Sequence, residues 1–314
     1  MEAGNELFQP DLIIGPIEAG TVVSSVLFGC AMIQTYMYFT TFEEDSRGFK
    51  GLVLLIMGLL FVHLVCVIDT LWQMTILTYG FPQALGAFSH VADAVIILGS
   101  VITLCVQAFY IYRLVRLSSS WILPAICTLV CVVSCVLGLV LGITALRMTS
   151  MASYEVYEKW AITACLVVAA LADVAITGSL VYHMGSKFAE SSARTDRIIE
   201  KSILWAIETG FITSFCALLV LIFFFTMKQN YIWVGTYGFV APIYANCFLA
   251  VLNGRARLRH RDGCACKCYP SVKNVTVDGE PYAETTLVVD SQMSQTCAAD
   301  TRLQSPPAYA SERA

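Results

Sequence analysis

Charged side chains are scarce in this sequence. Aspartate, glutamate, lysine and arginine make up only 13% of the 314 residues, whereas 57% are hydrophobic and the mean hydropathy is +0.71. A soluble domain carries about 25% charged residues, so this composition excludes a soluble globular protein and indicates an integral membrane protein. The formal net charge is −4, and we predict no nucleic-acid partner.

Histidine is scarce as well. The chain has only His63, His90, His183 and His260, and no two of them have the four-residue spacing of a metal pair on a helix. An intramembrane zinc hydrolase would lack its ligands. The thirteen cysteines do not have the spacing of a disulfide framework. We therefore predict neither an enzyme nor a cofactor.

Seven apolar segments are each long enough to cross a bilayer core of about 30 Å. They are Ile17–Phe42, Gly51–Thr78, Val91–Tyr112, Trp121–Leu146, Trp160–Tyr182, Ser202–Thr226 and Tyr231–Leu252. We predict an all-α fold, a seven-transmembrane helix bundle over residues 17–253. A short extracellular amino terminus (1–16) precedes it, and a cytoplasmic, mostly disordered tail (254–314) follows, because its composition turns polar.

Basic residues are concentrated on one side of these segments. That side carries Arg47, Lys50, Arg113, Arg116, Lys187, Arg194, Arg197, Lys201, Arg255, Arg257, Arg259 and Arg261, and the other carries Arg147, Lys159 and Lys228. Loops rich in lysine and arginine stay in the cytoplasm. This predicts an outside amino terminus and a cytoplasmic carboxyl terminus. We expect the plasma membrane, with an endomembrane as the alternative.

Four acidic residues, Asp69, Asp93, Asp173 and Glu208, lie inside the predicted spans, with Glu18 at the outer start of the first, and the spans contain no lysine or arginine. A carboxylate in hydrocarbon costs several kcal/mol, so each is expected to face the bundle interior. There it is either protonated and hydrogen-bonded to a neighbouring helix or part of a ligand or ion pocket. His90 lies one turn before Asp93. We assign the four acids and His90 to this pocket, with Asp69 and Asp93 lining an outward-facing cavity.

The tail contains two further candidate sites. Cys264, Cys266 and Cys268 alternate directly after the basic cluster. This placement favours S-palmitoylation at the membrane surface, with metal binding as the alternative. The Pro-Pro-x-Tyr sequence made by Pro306, Pro307 and Tyr309 is typical of ligands for WW domains. It predicts a WW-domain ubiquitin ligase as partner.

A series of short motifs runs through the spans and the loops between them. They are Gln34-Thr35-Tyr36-Met37-Tyr38, Asp45, Leu171-Ala172-Asp173, Thr195-Asp196, Glu208-Thr209-Gly210, Tyr244-Ala245-Asn246 and Leu252-Asn253-Gly254-Arg255. In order and spacing they resemble a family of fungal seven-helix membrane proteins, abundant in mushroom-forming fungi and classed as a domain of unknown function. The resemblance extends from about Gly15 to Arg255. It implies a seven-helix fold and a fungal (basidiomycete) origin, but no established activity and no catalytic residues.

The function that fits these features best is a receptor-like multi-pass protein that binds a small-molecule ligand within the lipid bilayer. It is not an ordinary rhodopsin-like receptor. Helix three ends in Ile111-Tyr112-Arg113 instead of an acidic-Arg-Tyr triplet, and helix seven has Pro242-Ile243-Tyr244 instead of Asn-Pro-x-x-Tyr. Helix seven also has no lysine to form a retinal Schiff base. The alternatives are a small-solute, ion or proton transporter and a scaffold that recruits cytoplasmic partners through its tail.

Overall fold

A computed structural model describes residues 10–79, 90–118, 120–148, 151–188, 193–227, 230–263, 271–277 and 280–286. The chain forms two units, Met1–Arg257 and Leu258–Ala314. The helices are α1 (Pro10–Thr41), α2 (Arg47–Trp72), α3 (His90–Leu117), α4 (Ile122–Ala145), α5 (Met151–Tyr157), α6 (Lys159–Phe188), α7 (Ala193–Thr226), α8 (Ile232–Gly238) and α9 (Val240–Gly263). A π-helical turn, Gln73–Leu77, extends α2.

The described residues contain seven helical segments that are long and apolar enough to cross a membrane. They coincide with the seven predicted segments, so the helical, membrane-spanning part of the prediction is confirmed. Large hydrophobic side chains cover the outside of the bundle, with Val26 62%, Leu129 64% and Phe211 68% exposed. A soluble monomer rarely exposes a continuous apolar surface of this kind, whereas a membrane protein presents it to lipid.

The seventh span is broken into α8 and α9, and it is the central element of the bundle. In its apolar stretch 56% of the residues are buried, against 22–39% in the other six spans found in the described residues. Phe248, Leu249 and Leu252 are at most 1% exposed and pack into a core with α1, α2 and α3. The residues around the break are therefore held by several helices at once.

Two prolines explain how the amino-terminal ends of α1 and α9 are held. Proline has no N–H, so Pro16 leaves the carbonyl of Leu12 free and Pro242 leaves that of Gly238 free. Both carbonyls accept a hydrogen bond from another part of the chain. The Tyr231 N–H donates to Leu12 O at 3.2 Å, and Ser24 Oγ donates to Gly238 O at 3.1 Å. In a low-dielectric bundle such freed groups must find partners. Here the partners join α1 to the seventh span.

The motif residues of the first and seventh spans continue this connection. Gln34 Nε2 donates to Asn246 Oδ1 at 2.8 Å, and Asn253 Nδ2 donates to the Gln34 carbonyl at 2.8 Å. Asn246 Nδ2 also donates to the carbonyl of Leu27 at 2.9 Å. Polar side chains that bond across helices stabilise membrane bundles. These motif residues thus have a structural role.

Glycines allow α1 and α8 to touch backbone to backbone. A Cβ on Gly20 would overlap the carbonyl of Gly235, and a Cβ on Gly235 would overlap the carbonyl of Pro16. A Cβ on Gly138 would overlap the side chain of Ser100 of α3. The sequence also contains Gly29 on α1, but a Cβ there would meet nothing within 4 Å. Close packing therefore depends on particular glycines.

We expect Gly20→Ala to lower the free energy of unfolding by about 1–3 kcal/mol, because the added methyl group pushes α1 away from α8. Gly29→Ala on the same helix is the matched control and should leave stability unchanged or slightly raised. Denaturant unfolding of both variants in detergent micelles measures the difference. Equal stability of the two variants would contradict the close contact.

The second unit contains an antiparallel pair of strands, β1 (Ser271–Val277) and β2 (Glu280–Thr286), with Ser271 opposite Thr286. This differs from the disorder predicted for these stretches. The missed signal is the Asp-Gly dipeptide that stands between them in the sequence, since Asp-Gly flanked by β-branched residues favours a hairpin. The residues of the two tail sites, Cys264, Cys266 and Cys268 and Pro306, Pro307 and Tyr309, lie outside the described residues.

Candidate functional site

A cavity of about 70 Å³ lies at the end of the bundle where α3 and α8 begin. We call it the Asp93 cavity. Its lining includes Thr21, Thr70, Asp93, Tyr154, Trp233 and Tyr237, which come from α1, α2, α3, α5 and α8. α8 ends at Gly238, which lines the cavity, and α9 begins at Val240. Most of the wall is apolar.

Asp93 is the most unusual residue of this cavity. It lies in the first turn of α3 and is 2% exposed. Among the described residues, its Oδ2 atom has no hydrogen-bond partner. His90 Nδ1 is 3.9 Å away, too far for a hydrogen bond, and its side chain is 82% exposed. A buried carboxylate oxygen without a partner is costly, so this site favours an occupant that pairs with it.

Aromatic side chains form one wall of the cavity. Trp233 is 7% exposed, and its Nε1 donates to Glu155 Oε1 at 2.8 Å. Burial raises the pKa of Glu155, and the hydrogen bond from Trp233 partly offsets this effect. Phe224 packs edge-on against the Trp233 ring at 5.3 Å. Trp233 is thus fixed on two sides, and Tyr154 is held by a hydrogen bond from its Oη to the Leu141 carbonyl at 3.3 Å.

The structure does not place Asp69 in this cavity. The wall from α2 is made by Val67 and Thr70, and Asp69 is rotated about 100° from Thr70 around the helix axis. Its Oδ2 accepts a hydrogen bond from Gln73 Nε2 at 2.6 Å. Of the two acids predicted to line the cavity, only Asp93 does so.

Glu208 also differs from the prediction, since it is exposed on the outside of the bundle. α7 runs from Ala193 to Thr226, and Ile203-Leu204-Trp205-Ala206-Ile207 precedes Glu208 in the sequence. Glu208 therefore lies within an apolar run but on an exposed face of the helix. The prediction that Glu208 faces the bundle interior is wrong.

Asp173 lies deep in the bundle and is 5% exposed. It accepts hydrogen bonds from Gln107 Nε2 of α3 at 3.1 Å and from Tyr244 Oη of α9. Of the two environments predicted for the acids, this is the one in which the acid is hydrogen-bonded to neighbouring helices. Asp173 thus joins three spans, and both of its carboxylate oxygens have partners.

Two further cavities lie in the bundle, and neighbouring cavities share lining residues. The middle cavity, of about 60 Å³, shares Tyr237 with the Asp93 cavity. It shares Gln107 and Tyr244 with an inner cavity of about 20 Å³ that contains Asp173. The result is a column of polar groups along the bundle, which we call the polar column.

Sequence reasoning did not identify this column, although a signal was present. Asp93, Ser100 and Gln107 repeat every seven residues, and so do Tyr237 and Tyr244. A seven-residue step returns to nearly the same face of a helix, and the three α3 residues cover a rise of about 21 Å. His63, which is 1% exposed, faces the middle cavity from α2. Trp233 and Glu155 had no comparable sequence signal.

Residues 169–257 match a family model described as "Family of unknown function (DUF6534)". The matched segment includes Asp173, Trp233, Tyr244 and Arg255. A comparison with curated proteins found no match. The match supports a relation to a domain-of-unknown-function family, and the chain itself is a multi-pass membrane protein of unknown function.

Proposed function

We propose that this protein is a receptor-like membrane protein that binds a small molecule in the Asp93 cavity from outside the cell. The observation that carries the proposal is the buried carboxylate of Asp93, which lines the cavity. One of its oxygens has no hydrogen-bond partner in the described part of the chain. A mostly apolar cavity with a few convergent polar groups is typical of a small-molecule site. We assign the protein no enzymatic activity.

The proposed orientation has an outside amino terminus and a cytoplasmic carboxyl terminus. It is supported by the basic residues of the sequence, since Arg113 and Arg116 lie at the end of α3 opposite to Asp93. Arg255 lies near the corresponding end of α9. The Asp93 cavity then opens toward the outside, and the plasma membrane is the expected location. The fungal origin belongs to the same proposal and is supported by the motif resemblance.

The seventh span offers a way to transmit binding across the membrane. Trp233 and Tyr237 of α8 line the cavity, Tyr244 of α9 bonds to Asp173, and Arg255 bonds to Asp45 in the α1–α2 loop. An occupant that moves α8 therefore acts on an element whose other end contacts the opposite side of the bundle. A receptor requires an element of this kind, whose contacts differ between the two conformations that the ligand distinguishes.

A ligand screen by thermal shift on the purified protein tests this proposal. Compounds that bind the cavity should raise the melting temperature of the wild type. The shift should disappear in Ala92→Leu, because Ala92 is 7% exposed and lines the cavity. Val132→Leu, at a 45% exposed position on α4, is the control. If every stabilising compound acts equally on Ala92→Leu, the cavity is not the binding site.

A second candidate function, proton or ion transport, is favoured by the polar column. Asp93, Gln107 and Asp173 line three cavities that share wall residues, and intramembrane acids of this kind form relays in transporters. Proteoliposomes with an enclosed pH dye measure this directly. Transport predicts proton or cation flux that Asp173→Asn removes, whereas the receptor proposal predicts no flux.

The tail supports a further proposal, in which it binds the inner leaflet and recruits partners as a scaffold. Acyl chains on Cys264, Cys266 or Cys268 would add a second anchor to the basic cluster Arg255–Arg261. Mass spectrometry of protein from the native cell should find these thiols acylated. Unmodified thiols at all three positions would remove the anchor.

We expect a peptide with Pro306, Pro307 and Tyr309 to bind a WW domain with micromolar affinity. Adjacent prolines favour the polyproline II conformation that such domains accept, and the tyrosine supplies the aromatic contact. Tyr309→Ala should abolish binding in a fluorescence polarisation titration. Equal binding of the two peptides, or binding of neither, would contradict a WW-domain ubiquitin ligase as partner.

A further inference from the structure

We propose that the occupant of the Asp93 cavity is a small organic cation, an alkylammonium of about five non-hydrogen atoms, whose charged group pairs with the Asp93 carboxylate. This inference rests on the proposed function and adds the chemical class of the ligand. It follows from the charge of the cavity, the nature of its wall and its size.

The charge of the cavity is the first argument. Asp93 is the acidic residue of the lining, and no lysine or arginine is among the described residues that line the cavity. Asp93 also lies in the first turn of α3, where the helix dipole favours negative charge. A cation in the cavity can form a charge-assisted hydrogen bond with the Asp93 carboxylate, whereas an anion would be repelled.

The wall provides the second argument. Trp233, Tyr154 and Tyr237 line the cavity, and aromatic rings attract organic cations through their quadrupole. Trp233 is held in place by Glu155 and Phe224, so the ring does not have to be ordered when a ligand binds. Thr21 and Thr70 donate their hydroxyl groups to carbonyls of their own helices, and most other lining residues are apolar, such as Val67 and Val95. These suit alkyl groups better than a hydrated metal ion.

The size of the cavity is the third argument. A water molecule needs a cavity of about 10–15 Å³, so a cavity of about 70 Å³ has room for about five to seven groups of that size. This matches n-butylammonium or tetramethylammonium. Larger amines would have to extend beyond the enclosed volume.

Three probes of equal length test the inference on the wild-type protein at constant ionic strength: n-butylammonium, n-butanol and butyrate. Dissociation constants are taken from thermal-shift titrations. We expect n-butylammonium to bind about tenfold to a hundredfold more tightly than n-butanol, since hydrogen bonds to charged groups contribute at this level. Butyrate should not bind.

Two variants locate the charge that selects the cation. Asp93→Asn should weaken n-butylammonium binding about tenfold or more and leave n-butanol binding within about twofold. Asp69→Asn is the matched control, because Asp69 is also an acid of this end of the bundle but does not line the cavity. It should change neither affinity. The comparison of the three probes needs no variant, so it remains decisive even if Asp93→Asn does not fold.

The remaining outcomes separate the two proposals. If n-butanol binds as tightly as n-butylammonium and Ala92→Leu abolishes both, the cavity holds a neutral ligand. The cation inference is then wrong and the proposed binding function stands. If no probe has an affinity that depends on Ala92→Leu, both the cation inference and the binding function are overturned.

Discussion

Asp173→Ala is expected to lower the free energy of unfolding by about 3 kcal/mol. The substitution removes the acceptor for Gln107 Nε2 and Tyr244 Oη, and each buried donor left without a partner costs about 1–3 kcal/mol. Asp173→Asn keeps one acceptor oxygen and should lose less. Unfolding by denaturant in mixed micelles measures both variants.

Glu208→Ala is the matched control for this prediction. Glu208 was predicted from the sequence to face the interior in the same way as Asp173, but it is exposed. Its removal should change stability by less than about 0.5 kcal/mol, as is usual for surface substitutions. If Glu208→Ala were as destabilising as Asp173→Ala, the assignment of the two acids to different environments would be wrong.

Asp45→Ala is expected to lower the free energy of unfolding by about 2 kcal/mol at neutral pH. Asp45 Oδ2 accepts a hydrogen bond from Tyr38 Oη at 2.8 Å and from Arg255 Nη2 at 2.7 Å. Tyr38 is fully buried and Arg255 lies over the Phe42 ring at 4.8 Å, so both donors remain in place without their acceptor. Hydrogen bonds to charged groups contribute about 1.5–3 kcal/mol when buried, and partial exposure of Arg255 reduces this.

This contact also predicts a dependence on pH. Burial alone would raise the pKa of Asp45, but the hydrogen bonds from Arg255 and Tyr38 and the Arg255 charge together hold the pKa below its ordinary value of 3.8. A lowered pKa in the folded state contributes stability above the unfolded pKa. That contribution is lost as the pH falls below 3.8 toward the folded pKa.

The difference in stability between wild type and Asp45→Ala should therefore be constant near neutral pH and shrink below pH 3.8. Glu44→Ala, at the exposed neighbouring position, should show no such difference. Unfolding midpoints measured from neutral pH down to about pH 3 test the sign. A difference that grows on acidification would contradict the Asp45–Arg255 contact.

The membrane spans could be predicted from the sequence because the length of an apolar run is a local property. The direction in which each acid faces could not, because it depends on the rotation of a helix against its neighbours. Asp173 and Glu208 both occupy apolar runs, yet the packing of α6 and α7 places one inside and the other outside. Only contacts between distant segments distinguish them.

Only the local part of the Asp93 cavity could be predicted from the sequence. His90 and Asp93 are neighbours on one helix, and their position near a helix end can be read from the sequence. Trp233 and Glu155 are far apart in the chain and meet only because α5 packs beside α8. The free carbonyls left by Pro16 and Pro242 were foreseeable, but the groups that fill them, from Tyr231 and Ser24, were not.

The most direct test of an outward-facing ligand cavity is the side from which a thiol in the cavity can be labelled. Ala92→Cys places a thiol in the lining, and a positively charged, membrane-impermeant thiosulfonate reports its access. We predict labelling in intact cells at a rate well above that of the wild type with its native cysteines, and slower labelling in the presence of n-butylammonium. Labelling only in inside-out vesicles, or no labelling beyond the wild-type rate from either side, would contradict an outward-facing ligand cavity.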